Sequence, residues 1–128
     1  MKSSMMKDCA LYCAVLCFGV AAVAFAPDAA KVDPTHYKVE FENAQVRILR
    51  FHYGPHEKSV MHSHPDSVAV FLTDGSVKFT FPDGKTRDTS GKAGVAQFTP
   101  ATVHLPEDVG DAPMEGIVVE LKTGGKKK

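Results

Sequence analysis

His62-Ser63-His64 sets two imidazoles one residue apart. On an extended backbone, residues at i and i+2 leave the same face, so both rings can converge on one ion. A pair alone proves little, since two histidines on one strand face are more often packing or surface residues. The third ligand is expected at His104, just after an apolar run that ends at Pro100. Neutral imidazole is a favoured nitrogen ligand of zinc and of first-row transition metals, and three of them leave coordination positions open for another molecule. The spacing therefore points to metal chemistry. No acid, base or nucleophile can be placed beside these rings from sequence, and catalytic residues stay unassigned.

Other candidate ligands fall away on geometry. His56 shares the parity of His62, but six residues of extended chain span roughly 20 Å. Glu57 has the wrong parity, and Asp66 follows the break at Pro65. His36 precedes the first strand, and His52 ends a strand of mixed alternation.

The elements that must hold the rings are strands. From Val32 onward no stretch of a dozen residues shows the 3.6 repeat of a helix, so the chain is expected to be all-β. Candidate strands are 37–42, 45–53, 57–64, 68–73, 76–81, 85–89, 95–99 and 115–122. Asp74-Gly75 and Asp83-Gly84 read as two-residue hairpin turns, because glycine supplies the positive φ of a type I′ turn. With Asp74-Gly75 as a loop, Leu72 faces Val77, Val70 faces Phe79 and Val68 faces Phe81. One interior face then carries Val68, Val70, Leu72, Val77, Phe79 and Phe81. Val68, Val70, Phe79 and Phe81 become the expected pocket lining, and Gln97 is a further candidate whose facing the pattern leaves open. Seven or eight short antiparallel strands close most easily as a small β-barrel or a two-sheet jelly roll.

The order His62-x-His64, Gly75, Gly94-x5-Pro100 and His104-x3-Asp108 resembles the two motifs of the cupin superfamily, small antiparallel β-barrels, over roughly residues 38–121. The sequence departs from the pattern in three places. Val68 stands at the glutamate position of the first motif, PATVH is one residue shorter than PxGxxH, and Asp108 replaces asparagine. The resemblance implies a metal held by His62, His64 and His104 without the usual carboxylate, so a divalent ion would keep its full double charge and favour anionic ligands. All-histidine iron sites of this kind are similar to those of thiol dioxygenases and β-diketone-cleaving dioxygenases. They imply an oxidoreductase using Fe(II), with Zn, Mn, Ni or Cu as alternative ions, acting on a small anionic molecule. A non-catalytic binding module is the alternative reading, with an isomerase third. The resemblance also implies a homodimer.

The ends of the chain bound its location. Lys2 and Lys7 precede an unbroken apolar run from Ala10 to Ala26, which reads as a signal peptide over 1–26, cleaved after Ala24 or Ala26. At about 17 residues the run sits at the short limit for spanning a bilayer, so a secreted or periplasmic protein without stable membrane anchoring is expected. Cys9, Cys13 and Cys17 all fall inside it, leaving the barrel, 32–122, without thiols. Lys and Arg total 15, as do Asp and Glu, and they intermingle, so nucleic acid is not an expected partner. Residues 123–128 read as a disordered basic tail.

Overall fold

β-Branched and aromatic residues are frequent in YKVEFE, VRILRFHY and MEGIVVEL, and each stretch forms a strand because such side chains suit a pleated, half-buried surface. The computed structural model describes residues 26–122. The expected signal segment up to residue 25, the three cysteines and the tail at 123–128 lie outside the described residues. In chain order the elements are α1 (Ala29–Val32), β1 (Tyr37–Glu42), β2 (Val46–Tyr53), β3 (His62–His64), β4 (Ser67–Phe71), β5 (Gly75–Thr80), β6 (Thr86–Gly91), β7 (Ala96–Thr99), β8 (Thr102–Asp108) and β9 (Met114–Leu121). They build two antiparallel sheets, ordered β1-β2-β9-β4-β7 and β3-β8-β5-β6. This is the all-β jelly roll expected from the sequence.

Burial alternates along β2 and β9. Leu49, Phe51 and Tyr53 point inward, as do Met114, Gly116, Val118 and Glu120. Register aligns them: Phe51, Gly116 and Phe71 are neighbours across β2, β9 and β4. Gly116 is required there, since a Cβ would lie 2.3 Å from the Phe51 ring and 2.7 Å from the Val70 carbonyl oxygen. Without it Phe51 and Phe71 pack edge to face, with centroids 5.8 Å apart.

Three local expectations are corrected. The Asp74-Gly75 hairpin does not form: β4 pairs with β7 and β9, whereas β5 pairs with β6 and β8, so the chain crosses between sheets at 72–74. Tertiary partners outweigh the turn signal. Leu72 N and Thr73 N donate to the Glu115 carbonyl, and the Asp74 carboxylate accepts from Ala93 N at 3.0 Å. Val68 and Val70 leave the outer face of the five-stranded sheet, beside Val119 and Ile117, and Ser67 and Phe71 take the inner positions.

Asp83-Gly84 also departs from a two-residue turn. A hairpin does form, but its loop is longer than two residues. Phe81 N bonds to Lys85 O and Gly84 N to Phe81 O, both at 2.9 Å, with Gly84 at φ 81°. Pro82 takes the second position of the turn, where its fixed φ belongs, and glycine takes the left-handed one. Thirdly, the strand expected at 57–64 is confined to His62–His64, and β8 was not foreseen. Pro100 and Pro106 break its pattern, yet Pro106 is tolerated because proline forfeits a single ladder donor.

Candidate metal centre

β3 and β8 lie side by side with His62 directly opposite His104 and His64 opposite Thr102. Cross-strand partners share a face, so all three rings point between the sheets. Ring centroids are 4.8 Å apart for His62 and His64, 5.1 Å for His62 and His104, and 5.4 Å for His64 and His104. One nitrogen from each ring lies within 4.8 Å of the other two. His104 is thus drawn to the pair by β8 and not by the end of β7.

Tautomers follow from the partners of the opposite nitrogens. The carbonyl oxygen of Val60 accepts from His62 Nδ1 at 2.8 Å, and Glu120 Oε1 accepts from His64 Nδ1 at 2.6 Å. A proton on each Nδ1 leaves each Nε2 with its lone pair, the state in which imidazole ligates a metal. Burial, reinforced by the neighbouring imidazoles, lowers the His62 pKa to about 4 and the His104 pKa to about 3. Both rings are neutral at pH 7. His104 also stacks on Phe79, with centroids 4.8 Å apart and planes 16° from parallel.

The decisive test of fit is hydrogen bonding. His62 Nε2 and His104 Nε2 are buried and have no hydrogen-bond partner among the described residues. Leaving such groups unpaired costs about 1–3 kcal/mol each. A divalent cation held by His62, His64 and His104 would satisfy both at once.

A carboxylate does stand near the rings, behind His64. Glu120 is 2% exposed, yet it sits at an inward position of β9. Besides His64 it binds Arg47, whose Nε lies 2.7 Å from Oε2, and Arg47 in turn pairs with Asp28. The Asp28–Arg47–Glu120 cluster carries one net negative charge behind His64, so a divalent ion held here would not keep its full double charge. The sequence did hold a signal for this cluster. Arg47 and Glu120 interrupt the apolar parity of β2 and β9 and face each other in register, and a charge at a buried position needs a partner.

Beside the rings lies a cavity of about 70 Å³, walled by Tyr37, Phe51, Tyr53, Ser67, Phe71, Phe79, Met114 and Val118 among others, with His64 and His104 at one side. Of the expected lining residues, Phe79 is there. Val68 and Val70 face outward, Phe81 belongs to the β5–β6 turn under the Arg87 guanidinium, and Gln97 is exposed on edge strand β7. Tyr37 was missed: its ring is 4.9 Å from that of His62 and 5.5 Å from that of His64. Burial and the adjoining Tyr53, whose hydroxyl lies 3.0 Å from its own, hold the Tyr37 phenol well above its usual pKa.

The sequence matches no protein-family model and no curated protein. Solved structures do resemble it. A cupin domain from Bordetella pertussis Tohama I is 22% identical, with 68% of this chain and 92% of that one covered at a TM-score of 0.64. A conserved protein with a double-stranded β-helix domain from Klebsiella pneumoniae is also 22% identical, over 70% and 78%, at 0.54. An RmlC-like cupin family protein from Methanocaldococcus jannaschii is 16% identical, over 66% and 77%, at 0.53. With the sheets, register and three histidines as described, the chain has the double-stranded β-helix fold of the cupins, and a three-histidine group lies inside it.

Proposed function

We propose that this chain is a metal-dependent oxidoreductase of dioxygenase type, with His62, His64 and His104 holding Fe(II) and a small anionic molecule as substrate. The observation that carries the reading is the pair of buried, unpartnered Nε2 atoms on His62 and His104. When bound, the ion supplies a Lewis acid for an anion and an electron source for dioxygen. Zn, Mn, Ni and Cu suit the same nitrogens, since imidazole accepts all of them.

The chain's own residues supply the rest. Three neutral imidazoles with one net negative charge behind them leave the loaded site close to a single positive charge, which a monoanion neutralises. A cavity of about 70 Å³ takes a molecule of only a few heavy atoms. Phe51, Phe71, Met114 and Val118 exclude water from its body. Tyr37, kept protonated, accepts from the Tyr53 hydroxyl and does not act as a base.

Secretion or periplasmic location belongs to this proposal and is supported by the apolar segment at 10–26. Homodimerisation does too. Phe41, Ile48, Val119, Val68 and Phe98 form a continuous apolar row across all five strands on the outer face, with Phe41 and Phe98 50% and 57% exposed. Oxygen uptake by Fe(II)-loaded protein against short thiolates and diketones tests the activity. Turnover with one class supports it. Silence with every ion, alongside ligand-induced rises in melting temperature, would assign the site to a binding module instead.

A further inference from the structure

Residues 26–33 precede the first strand, yet their contacts converge on the strand that carries two of the three histidines. Ser63, between His62 and His64, donates its backbone N–H to Pro27 O at 2.9 Å and its hydroxyl to Ala26 O at 2.8 Å. Asp28 forms a parallel bridge with the same residue. Its carboxylate also pairs with Arg47, which holds Glu120, which fixes His64 Nδ1. Asp33 ends the short helix and accepts from the hydroxyl of Ser59, itself 3.3 Å from His62 Nδ1. Two separate routes therefore run from this segment to the nitrogens that set the tautomer and aim of His62 and His64.

We propose that residues 26–33 form a strap that is a working part of the metal centre, so that docking of the strap and binding of the ion reinforce each other. The inference rests on the metal-centre reading above and adds to it a positioning role for Asp28 and Ser63. One helical turn and a single bridge make a weakly held element, the kind that opens locally before the rest of a domain does. Linkage is reciprocal: the factor by which the strap tightens the ion is the factor by which the ion tightens the strap. Groups that orient a metal-bound imidazole typically change metal affinity 10- to 100-fold. Of the two expected processing points, cleavage after Ala24 leaves both Ser63 acceptors in the chain, whereas cleavage after Ala26 removes one.

Amide hydrogen exchange on the full chain, with and without stoichiometric Zn(II), tests this. The amides of Lys31, Val32, Asp33 and Ser63 bond within or to the strap. Zn(II) is expected to slow their exchange at least about tenfold while leaving the Asp83–Gly84 turn unchanged. Asp28→Asn and Ser63→Ala should each weaken Zn(II) binding about tenfold or more and lose that protection, with exchange in β2 and β9 showing that the fold is intact. Asp83→Asn should do neither. Full Zn(II) stoichiometry with unchanged strap exchange, or wild-type affinity in both strap variants, would overturn the strap alone. Failure to bind Zn(II) at all would remove the metal-centre reading, and the strap with it.

Discussion

On its inner face the five-stranded sheet carries Arg47, Glu120 and Ser67 in one row and the aromatic wall of the cavity in the next. On its outer face the same strands carry Phe41, Ile48, Val119, Val68 and Phe98. The polar row is buried and the apolar row is in part exposed, the reverse of what transfer energies alone dictate. The inner charges are tolerated because each has a partner: Arg47 holds Glu120 and Asp28, and Glu120 holds His64. Among the described residues the outer row has no such closure. One face is thus built around three buried histidines and their polar partners, and the other carries an apolar stripe, a feature that marks an interface as readily as a core.

Substitutions of neighbouring residues on opposite faces break this contrast most sharply. His104→Ala should lower divalent-ion affinity by more than the 10- to 100-fold of an outer-shell change, read by chelator competition, because it removes a ligand outright. Glu120→Gln should lower stability by about 3 kcal/mol in urea denaturation, since it removes one of the two carboxylates that pair with Arg47 and loosens His64 in a buried network. Val119→Thr, one residue away on the other face, should cost about 1 kcal/mol or less in the monomer. Equal losses from the two would erase the distinction between the faces.

Acid sharpens the inner face further. The folded pKa values of His62 and His104, about 4 and about 3, lie below the ordinary histidine value, so between there and pH 6.5 the unfolded chain binds more protons. The stability tied to these rings is full above pH 6.5 and is lost as pH falls through that window. The metal-free protein should therefore melt at progressively lower temperature from pH 6.5 to pH 4. A flat profile would mean that the rings are not buried as described. The smallest effect on the site is expected from Phe98→Lys: sedimentation should show a dimer becoming a monomer while metal stoichiometry stays unchanged.

The chain announced its three histidines more clearly than its topology. His62 and His64 were legible because strand periodicity alone puts both rings on one side, and His104 because a third nitrogen was needed and its position fits a motif. Asp74-Gly75 misled because turn propensity is worth little beside the hydrogen bonds that tie Leu72, Thr73 and Asp74 to Glu115 and Ala93. A single wrong pairing then turned every side chain of β4 over, placing Val68 and Val70 inside. β8 went unseen because Pro106 interrupts a strand that has neighbours on both sides. Glu120 and Arg47 were legible in principle, as two charges at buried parity on adjoining strands, once β2 and β9 are set side by side.

X-ray absorption spectroscopy of the Co(II)-loaded protein measures the central claim most directly, because imidazole rings leave a distinctive multiple-scattering signature beyond the first shell of nitrogens. Three imidazoles per ion at about 2.1 Å are expected, falling to two in His62→Ala. A shell made mainly of carboxylate or water oxygens, or one unchanged by that substitution, would contradict it.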